Sequence, residues 1–570
     1  MSGEAGHAAA LYFVARDTEN EQVIGLDVAV ENLHDAYFRH ADQERLYCYS
    51  EGEQSFDVFR ARAIVQGRAP ENCVHIPLHA PEKLAEPGCL FHPDPNIAPY
   101  SWARRWGDQR AYSLCGLSHT MSSANVMDAV ANCVHFPTQE WDAIICPSRA
   151  IAGAIAALWD EWRAYLGERT GGRPRCPVQL PVIPLGADVD RFEANRDPVR
   201  RAEQRRRLDL AEETFVILFH GRISFYSKAH PLPLLQAAER MAARVSTPVC
   251  ALFYGYFPTE RLEDEFHALA EDVCALAQVK VVANTDDAFP DAVWAAADVF
   301  VSLSDNIQES FGLTPIEAMA SGLPVLVSDW DGYRDTVTNG AEGFVVPTQT
   351  PPPGAGLELA YRHLTGEDSY GTYIAAASQT TAVDVDATAE ALELLAEDPA
   401  LRARMGEAGV RRAQSVYDWR HVIPAYQSLW EELANRREHG GESAARPPTR
   451  APHPLRPDPY RMFAGFPTEQ IARSSRVELA AASLDEINRL IRHRMNIFTP
   501  DILLNADNIA KLVRCVERRP GLSAAEALEQ LGTDGAPEDE GRLLRTMSWM
   551  VKLGYLRLLA PNGDKPSAEK

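Results

Sequence analysis

The chain has 570 residues, too many for one ordinary hydrophobic core, and its length suggests about three units. At 46% hydrophobic and 24% charged residues it has the composition of a globular protein, and no apolar run approaches the roughly 20 residues that cross a bilayer. A formal net charge of −24 opposes a phosphate backbone, so nucleic acid is not an expected partner.

The 10 cysteines include no C-x-x-C pair, which argues for reduced thiols rather than a zinc ribbon, a redox motif or a disulfide framework. Met1–Ala10 has no basic region ahead of a long apolar stretch, so a cytoplasmic location is expected. Strand-like runs at 11–14, 46–49 and 73–76 alternate with helical stretches, the first of them over 25–40, where Leu26, Val30, Leu33 and Tyr37 recur at helical spacing. Cys73, His75, His79, Cys89 and His92 fit no standard zinc spacing, and no metal site is expected. Tyr100–Trp106, with Arg104 and Arg105 among aromatics, reads either as an ordinary surface helix or as a peripheral contact with the inner face of a membrane. The Cys115–Thr120 segment follows an apolar run and carries His119.

From 214 to 346 the strand signals become denser, at 215–219, 249–254, 279–282, 299–303, 324–327 and 344–346, each nearly all apolar. Strands buried on both faces belong to parallel sheets covered by helices, whose ligands sit at the strand carboxyl ends. Arg222 and Lys228 follow one such strand and Glu309 another. Glu309-Ser310-Phe311-Gly312-Leu313-Thr314 leads into a helix, offering backbone N–H groups and a positive dipole end to an anion, with carboxylates suited to hydroxyls. Gly312 permits close backbone approach. Thr314-Pro315-Ile316-Glu317 also reads as a capping box with proline at the first helical position. Asp188-Val189-Asp190, Asp329-Trp330-Asp331 and Asp384-Val385-Asp386 are D-x-D strings, expected by chance in so acidic a chain.

Residues 351–383, which open on Pro351-Pro352-Pro353-Gly354, read as an insertion, and a helical run ends at Trp430. A polar linker is expected over 434–456. The last unit, 457–570, has helical periodicity, a capping box at Ser523–Glu526, an apolar helix over 543–551 and a strand after Gly554. This suggests a winged-helix-like fold. Met547, Trp549 and Met550 make its third helix apolar, with Arg542 and Arg545 the main cations, so docking or homo-oligomerisation is expected rather than DNA binding.

The segment with Glu309, Glu317 and the following Ala318-Met319-Ala320-Ser321-Gly322-Leu323-Pro324-Val325 run resembles the donor signature of family 4 retaining glycosyltransferases, which carry two glutamates eight positions apart. Gly221-Arg222, Lys228, the 145–148 and 183–188 segments and Gly406-Glu407-Ala408-Gly409 extend the resemblance over roughly residues 110 to 433. It implies a GT-B fold: an acceptor domain over 1–192, a nucleotide-sugar domain over 193–433, and a cleft between them. It implies that Arg222 and Lys228 neutralise the leaving diphosphate, that Glu309 binds donor-sugar hydroxyls, and that Glu317 binds the ribose. The amides around Phe311, Gly312, Leu313 and Thr314 would receive sugar and phosphate oxygens, Ser310 would lie among the donor-binding residues, and Gly25 would close on the diphosphate. His119 is the implied catalytic-region histidine, a structural histidine being the alternative. Lys228 lies six positions after Arg222, where the family commonly has five. The implied activity is metal-independent, cofactor-free transfer from a nucleoside-diphosphate sugar to a glycan, lipid-linked or protein acceptor, with a sugar-nucleotide sensor or a GT-B epimerase as alternatives.

Overall fold

The computed structural model describes residues 8–15, 25–283, 292–447, 451–480, 484–532 and 537–559. The chain forms two compact units, Met1–Pro452 and His453–Lys570.

The first unit contains two six-stranded parallel sheets. Strands β1 (Ala10–Tyr12), β2 (Leu46–Ser50), β3 (Cys73–Pro77), β4 (Cys89–His92), β5 (Ser113–Leu117) and β6 (Ala143–Ile145) form one, in the order β3-β2-β1-β4-β5-β6. Strands β7 (Phe215–Arg222), β8 (Val249–Tyr256), β9 (Gln278–Ala283), β10 (Val299–Ser302), β11 (Val325–Ser328) and β12 (Gly343–Val346) form the other, in the order β12-β11-β10-β7-β8-β9. The two orders are the same when counted from each sheet's own first strand. This is the Rossmann-like pair expected from sequence. Val216, Ile217 and Leu218 are all fully buried, because helices cover both faces of the sheet and leave no position for alternation. In this topology the chain reverses direction across the sheet between β1 and β4 and again between β7 and β10, which opens a crevice at the carboxyl ends of those strands.

The helix Trp419–His439 returns from the second sheet to the first. Its Trp430 ring lies 5.8 Å from that of Tyr37 and 5.7 Å from that of Phe91, so the closing element is anchored by aromatic burial. The segment expected as a linker from 434 begins inside this helix and stays pinned to the first sheet's layer. Arg110 donates to the Gly440 carbonyl at 2.5 Å, Arg105 to the Ala444 carbonyl at 2.7 Å, and the Arg446 guanidinium sits 4.3 Å from the Trp106 ring. Residues 448–450 lie outside the described ones.

The arginines of the helix Tyr100–Trp106 make contacts within the fold. Its Arg104 is 1% exposed and forms a bidentate pair with the equally buried Asp142, at 2.6 and 2.7 Å. Arg105 donates to the Ala444 carbonyl.

The 351–383 insertion is a pair of helices, Leu357–Leu364 and Tyr370–Ser378, closed by β13 (Thr348–Gln349) pairing with β14 (Ala382–Val383). The Tyr370 hydroxyl lies 2.9 Å from that of Ser122 in the loop after β5, so the insertion reaches across to the first sheet.

The second unit packs the helices Leu484–Ile491, Ala506–Arg518, Ala524–Leu531 and Pro537–Lys552 with β15 (Arg476–Leu479), β16 (Leu522–Ser523) and β17 (Leu556–Leu558), in the sheet order β16-β15-β17. The Ser523–Glu526 capping box is present. The middle strand comes from the amino-terminal side of the helices, an element too short to show in the sequence. The apolar helix buries Leu543, Met547 and Met550. On the same helix Arg545 donates to the Ile502 carbonyl and Trp549 to the Asn496 carbonyl, each at 2.8 Å.

Candidate functional site

The crevice between β7 and β10 collects most of the charged and glycine-bearing residues singled out above. Arg222 ends β7, and its guanidinium donates to the Ser227 hydroxyl at 3.3 Å. Lys228, on the loop that follows, reaches across to Glu309 on the loop after β10, Nζ to Oε2 2.5 Å. Both side chains are largely shielded, at 20% and 12% exposure. Burial alone would lower the lysine and raise the glutamate, but their mutual attraction outweighs it in both, holding the ammonium above and the carboxyl below its ordinary value. The pair is therefore charged in the folded protein. The Tyr333 hydroxyl approaches Glu309 at 3.4 Å and the Ser302 hydroxyl at 2.7 Å, which fixes the carboxylate from the other side.

The helix Leu313–Ala320 starts at Gly312, whose φ is 81°. A Cβ there would stand 2.1 Å from the Tyr333 ring. Glycine is required both by the left-handed backbone and by the aromatic ring behind it. Gly312→Ala is therefore expected to cost on the order of 1–3 kcal/mol in stability and to weaken nucleotide binding; a thermal melt and a nucleotide titration check this, and an unchanged affinity would refute it.

Because the chain turns at Gly312, the expected capping box at Thr314–Glu317 does not form. Thr314 is already inside the first turn, and its buried hydroxyl has no hydrogen-bond partner among the described residues. Pro315 is tolerated there because first-turn amides lack intrahelical acceptors in any case. Leu313 and Thr314 contribute the helix's leading amides, and Glu317 stands one turn further along the same helix. Phe311 is 1% exposed, with its ring 6.0 Å from that of Tyr417, so its side chain belongs to the core and only its backbone borders the crevice.

The Ser310 hydroxyl donates to the His119 carbonyl at 2.5 Å, and its own carbonyl accepts from the Ser148 hydroxyl at 2.9 Å, so this residue bridges the two sheets. Arg149, next to Ser148, adds an ion pair with Asp335 at 2.5 Å. Thus the loops after β5 and β6 face those after β10 and β11. The His119 imidazole is held by Pro93, Nε2 to carbonyl 3.1 Å, and burial pushes its pKa down to about 4. A neutral ring donating through Nε2 leaves Nδ1 as an acceptor. Gly25 opens the helix Gly25–His40 after β1, and residues 16–24 before it lie outside the described ones.

Ser148, Ser302, Asp331 and Tyr333 were not foreseen as site residues. Ser302 and Tyr333 carry no spacing signal of their own, Ser148 lies in the 145–148 segment and Asp331 in a D-x-D string, and only the apposition of the strand-end loops brings the four together. Asp305 is a further member: it accepts from the Ser378 hydroxyl at 3.0 Å and so ties the insertion to the loop after β10, and burial pushes its carboxyl up to about 6. Apart from Asp331, the carboxylates of the D-x-D strings are occupied elsewhere. Asp188 pairs with Arg39, Asp190 with Arg420, Asp329 with Arg334 and Asp386 with Arg240, while Asp384 caps a helix. Among the described residues no group of three or more His, Cys, Asp or Glu is placed to hold a metal ion.

Two doubly wound sheets with a buried cation–carboxylate pair at the switch point of the second define a site suited to an anionic, hydroxylated ligand. Residues 200–352 match the family described as Glycosyl transferases group 1. The D-inositol 3-phosphate glycosyltransferase of Geodermatophilus obscurus is 35% identical over 208 residues, 35% of this chain and 42% of that protein. The phosphatidyl-myo-inositol mannosyltransferase of Mycobacterium tuberculosis is 28% identical over 256 residues, 44% of this chain and 54% of that protein. The chain thus spans about half the length of these curated relatives. Among solved structures, Anabaena HepE in complex with UDP-glucose shares 17% identity at a TM-score of 0.46, over 75% of this chain and 100% of that one.

Proposed function

We propose that the protein is a retaining, metal-independent glycosyltransferase that takes a hexosyl group from a nucleoside-diphosphate sugar held on the second sheet. The observation that carries this reading is the Lys228–Glu309 pair beside the glycine-opened helix at the β7/β10 switch point. A diphosphate entering there meets Arg222, Lys228 and the leading amides of the helix Leu313–Ala320, while Glu309 and Glu317 are carboxylate acceptors for sugar and ribose hydroxyls. In the reaction the anomeric C–O bond to the diphosphate breaks and a bond to the acceptor oxygen forms on the same face. The acceptor proton passes to the leaving phosphate oxygen, and the cations stabilise the charge that grows there. His119, neutral and across the crevice, serves as a hydrogen-bonding group to the sugar or phosphate. The relatives' names make an inositol-based polyol the first acceptor to try.

The test is a panel of UDP-, GDP- and ADP-sugars in EDTA, with and without myo-inositol phosphate or phosphatidylinositol vesicles, followed for nucleotide release, glycosylated product and thermal stabilisation. Acceptor-dependent release with one donor, with anomeric configuration kept in the product, is the expected result. Stabilisation by a donor with no product from any acceptor would favour a sensor, an isomerised sugar an epimerase, and a strict Mn²⁺ requirement would overturn the metal-free mechanism.

A further inference from the structure

The helix Tyr370–Ser378 of the insertion has its two ends on different loops of the crevice. At its first residue the Tyr370 hydroxyl lies 2.9 Å from that of Ser122, which is buried and itself 3.0 Å from the Thr120 hydroxyl. Both partners belong to the loop after β5 that carries His119. At its last residue the Ser378 hydroxyl donates to Asp305 Oδ1 at 3.0 Å, and Asp305 Oδ2 accepts the His230 amide at 3.3 Å. His230 follows Lys228 by two positions. The helix therefore connects the loop of one phosphate-facing cation to the loop of the crevice histidine.

Nine helical residues make a stiff connector roughly 13 Å long. Its base on the second sheet is firm. The buried Asp368 accepts both arms of the Arg362 guanidinium, at 2.8 and 2.9 Å, and the His363 and Tyr373 rings stack with centroids 4.6 Å apart, so the two helices of the insertion are locked together. The Ser369 side chain caps the second helix by accepting the Thr372 amide at 3.2 Å, which fixes where Tyr370 stands.

The His119 loop is thus gripped at two points three residues apart. The Ser310 hydroxyl holds the His119 carbonyl from the donor loop, and Tyr370 meets Ser122 from the insertion. One hydrogen bond leaves a loop free to pivot about it, and a second, at a separate point, fixes its orientation. We propose that the insertion is a strut that orients the His119 loop over the donor site, with Tyr370 as the positioning residue at its tip. The inference rests on the donor-site reading above. The cations and leading helix amides assigned to the diphosphate all belong to the second sheet, so loss of the tip leaves donor binding intact and misaligns the group that faces the reacting sugar.

Tyr370→Phe removes the hydroxyl and keeps the ring. Its transfer turnover is expected to fall about tenfold, the scale of one hydrogen bond, because the Ser310 contact still holds the loop near. Its UDP and GDP affinity and its donor KM are expected to stay within about twofold of wild type. Ser122→Ala is expected to show the same loss, and the double variant no more than either single change, because the two hydroxyls make one contact. Amide hydrogen exchange of the 118–123 segment, read by mass spectrometry, is expected to quicken about tenfold in all three variants. Unchanged exchange, full transfer in an active enzyme, losses that multiply in the double variant, or a nucleotide affinity that falls as far as turnover would overturn the strut. Quickened exchange in a protein that binds neither UDP nor GDP would uphold it and count against the donor-site reading.

Discussion

Lys228→Met is expected to lower sugar transfer by about 10²–10³-fold, the usual loss when one charge-stabilising group is removed from a water-poor site. It is also expected to destabilise the protein, because Glu309 is left largely buried without its partner, and breaking such a pair costs about 3–5 kcal/mol. The two effects separate in a double variant. Adding Glu309→Gln removes the stranded charge and is expected to recover most of the stability and none of the activity. Glu309→Ala alone carries the same penalty, through a stranded Lys228, so the glutamate assigned to donor-sugar hydroxyls is also tied to the fold. The pH dependence has a definite sign. The Glu309 carboxyl lies below its ordinary value of 4.5, so its stabilising contribution is full above that value and is lost as pH falls through the lower folded value. Lys228→Met is expected to remove this acid sensitivity. Parallel acid melts of wild type and variant, or unchanged turnover, would refute the assignment.

Arg104→Met is expected to cost about 3–5 kcal/mol with no direct effect on nucleotide contacts, because it strands Asp142 in the core of the first sheet. Asp142 also accepts the Leu114 amide at 2.9 Å and the Gln139 amide at 2.7 Å, and Arg104 donates to the Tyr112 carbonyl at 2.9 Å. The pair therefore organises the approach to β5 and β6, the strands whose following loops carry His119 and Ser148. Denaturant midpoints measure the cost, and a loss below about 1 kcal/mol would place the pair among the weak exposed ones. Nucleotide affinity measured well below the midpoint should be nearly wild type.

The sequence determined the two parallel sheets, because strands covered on both faces need continuous apolar runs, and 215–219, 249–254 and 299–303 have them. It likewise marked Arg222, Lys228, Glu309 and Gly312, since each follows a buried strand and sits where the chain must leave the sheet. It marked the Ser523–Glu526 cap for the same reason, a local pattern with a local cause. Strands β4, β5, β6 and β15 were not read from the sequence; three to five residues give little periodicity, and strands as short as β1 and β10 to β12 showed only through their apolar runs.

Only the tertiary structure decided which charges meet. Lys228 and Glu309 are 81 positions apart, and Ser148 and Asp331 are 183 apart. No spacing rule links them, and an ion pair or a hydrogen bond depends on distances of a few ångströms set by how the strand-end loops face each other. The same holds for Arg104, whose neighbours in sequence read as a surface helix while its guanidinium is enclosed with Asp142. The helix start at Leu313 rather than at Pro315 followed from the Tyr333 ring behind Gly312 and the left-handed turn it accompanies, a steric fact absent from the local sequence. Strand runs and turn residues report on local backbone free energy. Pairing, burial and proton placement report on contacts between segments distant in the chain.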